Sequence, residues 1–172
     1  MIDLDSMSNF AELRIEMGRL TCEKRPAAIT FGNEDKRYFL TGYAKCPTSN
    51  EVACYFRKNF INIKNDSIVT GAYNKRRIPI EELNSELVSL TAHPSSYKLQ
   101  EDVMKPALIT LYIDQAEDIS TTKQVLKEIV ESFEKMNTEE QPGFFEYAIL
   151  FSSYDPTRIP PPPPLPSNVN NE

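Results

Sequence analysis

The feature that most constrains this chain is the order in which strand-like and helix-like hydrophobic patterns follow one another over residues 59–155. Asn59–Lys64 alternates, with Ile61 and Ile63 on one side and Phe60, Asn62 and Lys64 on the other. Asn65-Asp66 supplies a turn before a second strand at Ser67–Thr70. Ile78-Pro79-Ile80-Glu81-Glu82 then opens a helix, with Pro79 at its first position and both glutamates near the positive end of the dipole. Leu83, Leu87 and Leu90 form its apolar face, and His93-Pro94 ends it. Ala107–Ile113 has the β-branched and aromatic content of a strand. A helix follows, capped by Ser120 or Thr121 and carrying Val125, Leu126, Ile129, Val130 and Phe133. Gln141-Pro142-Gly143 breaks that helix, and Tyr147–Phe151 is the last strand. The order β-β-α-β-α-β predicts an α+β domain in which helices pack on one face of a mixed sheet.

Residues 1–58 add a helix and strands to the same domain. Asn9 followed by Glu12 is a helix start, and Phe10, Leu13, Met17 and Leu20 fall on one face, which Gly18 weakens. Ala27–Phe31, Lys36–Thr41 and Val52–Phe56 read as strands, the first two joined through the turn residues 32–35.

A third segment, 156–172, is proline-rich, and the folded part is expected to end near Tyr154 or Asp155. Six of the 13 prolines lie in Ile159–Pro166. Prolines in series fix φ and donate no hydrogen bond, so this run is an extended polyproline II helix in a disordered tail. Two uses compete. Arg158, Pro160, Pro161, Pro162, Pro163, Pro164, Leu165 and Pro166 are the partner-binding residues if the run docks into the aromatic groove of a proline-recognising domain. Otherwise it is a stiff spacer.

Charge and composition narrow the chemistry. A net charge of −6 argues against a general nucleic-acid binder, which needs surplus basic charge. Lys75, Arg76 and Arg77 are a basic triplet that reads as a solvated turn or as a contact for an anionic partner. The five glycines never cluster, so no phosphate-cradling loop is present, and no cofactor is expected. His93, the one histidine, precedes a proline and reads as a helix-end residue. Asp114, Glu117 and Asp118 follow a strand and lack the spacing of a calcium loop, so they read as a solvated loop. Cys22, Cys46 and Cys54 match no zinc pattern and are expected to be reduced structural thiols. With an acidic N-terminus unlike a secretory leader and no apolar run long enough to span a bilayer, they point to the cytoplasm.

Phe60–Val69, then Ile78-Pro79-Ile80-Glu81-Glu82-Leu83, Pro106–Asp114, Thr121–Leu126 and Tyr147–Phe151 together resemble the soluble domain of the ExbD/TolR biopolymer-transport proteins, over about residues 60–153. The resemblance implies a dimerising, non-catalytic domain in an energy-transducing complex of the cell envelope, and hence the periplasm as the alternative compartment. Nothing in the chain matches the family's membrane helix or its aspartate, so no proton-channel site is carried over. The expected function is therefore a non-catalytic protein-interaction domain that forms a homodimer through an exposed sheet edge. The alternatives are a cytoplasmic adaptor whose polyproline tail recruits its partner, and a carboxylate-dependent hydrolase or transferase.

Overall fold

Asn9 starts the first helix as its sequence predicts: its Oδ1 accepts from Glu12 N at 3.1 Å, and Glu12 Oε2 accepts from Ser8 N at 2.8 Å. This reciprocal pair satisfies donors that a helix N-terminus leaves open. The computed structural model describes residues 1–25, 27–33, 35–48, 60–70, 74–91, 98–100, 103–104, 107–139 and 147–158. Several sequence expectations lie outside them: the Val52–Phe56 strand, Cys54, His93-Pro94, the Gln141–Gly143 break and the proline run.

Strand β1 (Ile2–Asp3) leads through a short 3-10 turn into helix α1 (Phe10–Cys22). Strands β2 (Ala27–Gly32) and β3 (Arg37–Ala44) form the expected hairpin. Its turn is tied by Asn33 Oδ1, which accepts from Asp35 N at 3.0 Å and Lys36 N at 2.9 Å. Strands β4 (Phe60–Lys64), β5 (Ser67–Thr70) and β6 (Arg76–Pro79) make an antiparallel meander, with Asn65 at positive φ in its first turn. Helix α2 (Leu83–Thr91), the small hairpin of β7 (Lys98–Gln100) and β8 (Val103–Met104), strand β9 (Ala107–Tyr112), helix α3 (Ile119–Glu139) and strand β10 (Tyr147–Phe151) complete the order.

Among the described residues the main sheet has eight strands, ordered β1-β2-β3-β10-β9-β4-β5-β6. It is mixed: β10 runs parallel to both β3 and β9, and β4 runs parallel to β9. The three helices share a single core with one face of this sheet. That core takes Phe10, Leu13 and Met17 from α1, Leu83 and Leu87 from α2, and Val125, Leu126, Ile129 and Phe133 from α3. The sheet contributes Ile29, Leu40, Ile63, Ile109 and Ile149. The α+β class with helices on one face is therefore the observed architecture.

The two halves of the chain meet where β3 lies beside β10, with Gly42 opposite Ile149. A Cβ on Gly42 would sit 2.3 Å from the Phe151 ring, which stacks on Phe10 of α1 at 6.1 Å between centroids. Glycine at this position lets the ring lie flat against β3.

Three expectations change. Pro79 ends the edge strand β6 and precedes a 3-10 turn, Ile80–Glu82, instead of opening the helix. An edge strand accepts proline where no partner needs its missing N–H. Asp118, not Ser120 or Thr121, occupies the start of α3: its Oδ1 accepts from Ser120 N at 2.8 Å. Finally, Cys22 and Cys46 are not reduced thiols but a disulfide, with Cα atoms 5.0 Å apart. Their separation of 24 positions conceals the pairing in sequence. Folding brings the end of α1 beside the end of β3, helped by Gly18, whose missing side chain leaves room for Lys45 O and Pro47.

Candidate functional site

Strand β3 alternates without a break: Tyr38, Leu40, Gly42 and Ala44 are buried, while Arg37, Phe39, Thr41 and Tyr43 are exposed. The buried set meets the helices. The exposed set lies on the opposite face, where Phe39 is 66% and Tyr43 60% exposed. Register places Ala28 beside Thr41, Leu150 beside Tyr43, and Thr110 beside Leu150. Those neighbours are small, apolar or hydroxylated, so the centre of this face carries no charge. Large aromatic side chains cost free energy when left in water. An uncharged patch holding two of them is the candidate interaction surface among the described residues.

Charged pairs border the patch on both sides. At the β1 side Arg37 reaches Asp3 at 3.5 Å and Asp5 at 3.7 Å. On the other side a C-terminal strap begins where Ser152 N donates to Leu111 O at 2.8 Å. Asp155 is buried there, 5% exposed. Its Oδ2 accepts from Lys64 Nζ at 2.5 Å, and its Oδ1 accepts from the Thr157 amide at 2.8 Å and hydroxyl at 2.7 Å. Burial pushes the Asp155 carboxyl up, but the bonds from Lys64 and Thr157 outweigh it and hold the pKa down at about 2. Lys64, whose side chain is 13% exposed, also lies 5.7 Å from the Tyr112 ring centroid. Asn74 Nδ2 donates to Pro156 O at 2.7 Å, so packing continues past Asp155 into the segment assigned to the tail.

The residues singled out in sequence fall in separate places. Arg158 is 83% exposed at the end of the strap, its Nε 3.6 Å from Asp155 Oδ2. Arg76 and Arg77 sit in succession on β6, opposite Thr70 and Val69, so they point to opposite faces of the sheet. The basic triplet therefore does not converge on one ligand, and Lys75 already has an interaction of its own.

The three loop carboxylates are likewise engaged one by one. Asp114 Oδ2 accepts from Asn65 Nδ2 at 3.0 Å, and Glu117 Oε2 accepts from Thr121 Oγ1 at 3.2 Å. The hydrogen bonds from Ser120, backbone first, hold the Asp118 carboxyl below its usual range. No group of three metal-ligating side chains occurs among the described residues.

Sequence reasoning missed the aromatic pair because both phases of Arg37–Tyr43 contain large apolar residues, so alternation alone does not say which phase is buried. It missed Lys64–Asp155 because nothing local links residues 91 positions apart. Comparison of the chain with family models, curated proteins and solved structures gave no match.

Proposed function

We propose that this chain is a non-catalytic protein-interaction domain that pairs with a second copy of itself through the open face of its sheet. The observation that carries the reading is the exposure of Phe39 and Tyr43, 66% and 60%, on an uncharged stretch of β3. Interfaces concentrate aromatic residues and exclude charge at their centres. A chain of net charge −6 repels its copies least where its surface is neutral. The sheet edges suit pairing less: β1 has two residues, and β6 bears Arg76, Arg77 and Pro79, which are devices that block strand addition.

A dimerising, non-catalytic domain is what the resemblance to ExbD/TolR soluble domains implies; the choice of the open face over a sheet edge rests on the exposure of Phe39 and Tyr43. The Cys22–Cys46 disulfide supports the cell-envelope compartment over the cytoplasm, because such bonds persist where the surroundings are oxidising. The dispersed carboxylates lend no support to a hydrolase or transferase, since each is held in a bond of its own.

The test is light scattering coupled to size exclusion on the full chain and on a Phe39→Ser, Tyr43→Ser double variant, with thermal unfolding as a check on the fold. A dimer that becomes a monomer with unchanged Tm supports the proposal. A monomer in both, across a hundredfold range of concentration, overturns it.

A second reading has Arg158 in its favour, exposed at 83% beside the proline run. In that case the tail recruits a proline-recognising domain. Removing residues 159–172 then abolishes capture of a polyproline-binding domain and leaves the oligomeric state unchanged.

A further inference from the structure

On the helix-covered side of the molecule a cleft of about 320 Å³ opens between the β2–β3 turn and α3. Among the described residues its lining carries three ammonium groups, Lys36, Lys123 and Lys127, against one carboxylate, Asp5, and with Glu131 on Lys36 the balance is one positive charge. In a chain whose net charge is −6, a concavity with this balance departs from the average surface. It is set apart from the open sheet face and plays no part in the pairing proposed above.

The three lysines are not alike. Lys123 is fixed by Asp5 at 2.7 Å. Lys36 is fixed by Glu131 at 2.9 Å and lies 4.7 Å from the Tyr38 ring centroid. Tyr38, itself 8% exposed, donates its hydroxyl to the same Glu131 oxygen at 2.6 Å. Those bonds, from Tyr38 first and Lys36 second, keep the Glu131 carboxyl below its usual range, so it remains an anion that anchors Lys36.

Lys123, Lys127 and Glu131 form one row along α3, each four residues after the last. The two ends of the row are paired. Lys127, in the middle, makes no hydrogen bond or ion pair among the described residues. Across the cleft, Asn33 Oδ1 is used by the turn, and its amide NH₂ has no acceptor among the described residues. Two anchored cations, one cation whose nearest carboxylate, Glu131, is already bonded to Tyr38 and Lys36, and one available amide donor thus face a single opening.

We propose that this cleft binds the phosphate group of a small soluble phosphate monoester. A tetrahedral dianion offers several strong acceptors to donors arriving from different directions, and lysine serves phosphate as a point charge. The cleft volume accommodates the phosphate together with a small organic substituent.

The experiment is an NMR titration of the full chain with inorganic phosphate, at constant ionic strength balanced by chloride. Saturable shifts are expected at the amides of Gly32, Asn33, Lys123 and Lys127. Lys127→Gln breaks no ion pair of the fold and is expected to weaken binding about tenfold or more, as the loss of a charged hydrogen bond does. Arg77→Gln, on the edge strand β6, is expected to change nothing.

A second arm measures sedimentation with phosphatidylcholine vesicles with and without phosphatidic acid. Phosphate binding with no preference for phosphatidic acid supports the soluble ligand. Vesicle capture that Lys127→Gln abolishes, with no response to inorganic phosphate, overturns it in favour of a lipid headgroup. Shifts that do not saturate, binding unchanged in Lys127→Gln, or an equal loss in Arg77→Gln also overturn the proposal, the last because it would show only diffuse attraction to positive charge.

Discussion

Replacing Asp155 with Asn tests whether the C-terminal strap is held by charge. The folded state lowers the Asp155 pKa from 3.8 to about 2. At about 1.4 kcal/mol per unit this is worth roughly 2 kcal/mol of stability. The side chain is 4% exposed, so solvent screening does not reduce that figure much. Because the folded pKa is depressed, the contribution is present in full above pH 4 and disappears as pH falls towards 2.

Asp155→Asn keeps the shape of the side chain and leaves Lys64 with Asp114, 3.8 Å away, as its remaining partner. The variant should lose about 1–3 kcal/mol at pH 7, a Tm lower by roughly 5 °C for a chain of this size. Urea unfolding at several pH values is the assay. Wild type and variant should converge between pH 4 and pH 2. Equal stability at pH 7, or a difference that persists at pH 2, would refute the reasoning. A double-mutant cycle with Lys64→Met isolates the pair itself.

Three further outcomes are expected. Gly42→Ala puts a methyl group into the Phe151 ring, which is 1% exposed and has little room to move, so urea unfolding should show a loss of about 1–3 kcal/mol. Reducing the Cys22–Cys46 bond, or changing both cysteines to Ser, releases a constraint across 24 residues and should cost about 3 kcal/mol. No change in Tm on adding reductant would mean that the bond contributes little. Asn9→Ala removes the bond to Glu12 N and should destabilise the protein by about 1 kcal/mol, read as the same midpoint shift by fluorescence and circular dichroism.

Local rules made much of the fold legible. The Asn9 and Glu12 cap, the turns at Asn33 and Asn65-Asp66, and the periodic faces of α1 and α3 each depend on neighbours a few residues apart. The same rules fail at Pro79, where helix-start chemistry and edge-strand chemistry both accept a residue without an N–H. They also fail at Asp118, which reads as a loop carboxylate until α3 is seen to begin beside it. The candidate interaction face was less legible. Phe39 and Tyr43 do not differ in kind from Phe31 and Tyr38, which stack in the interior at 5.0 Å. Only the position of the helices distinguishes the wet side of β3 from the dry one.

The sequence by itself therefore determined the three helices, the strands β2, β3, β4, β5, β9 and β10, and the class, because hydrophobic period, caps and turn residues act over short stretches of chain; it did not mark the short strands β1, β6, β7 and β8. Tertiary structure alone decided which elements became neighbours. It set β10 between β3 and β9, brought Cys22 to Cys46, placed Lys64 against Asp155, and gathered Lys36, Lys123 and Lys127 around one cleft. These contacts join residues far apart in the chain. Their energies depend on burial and charge in the assembled fold, which no local pattern records.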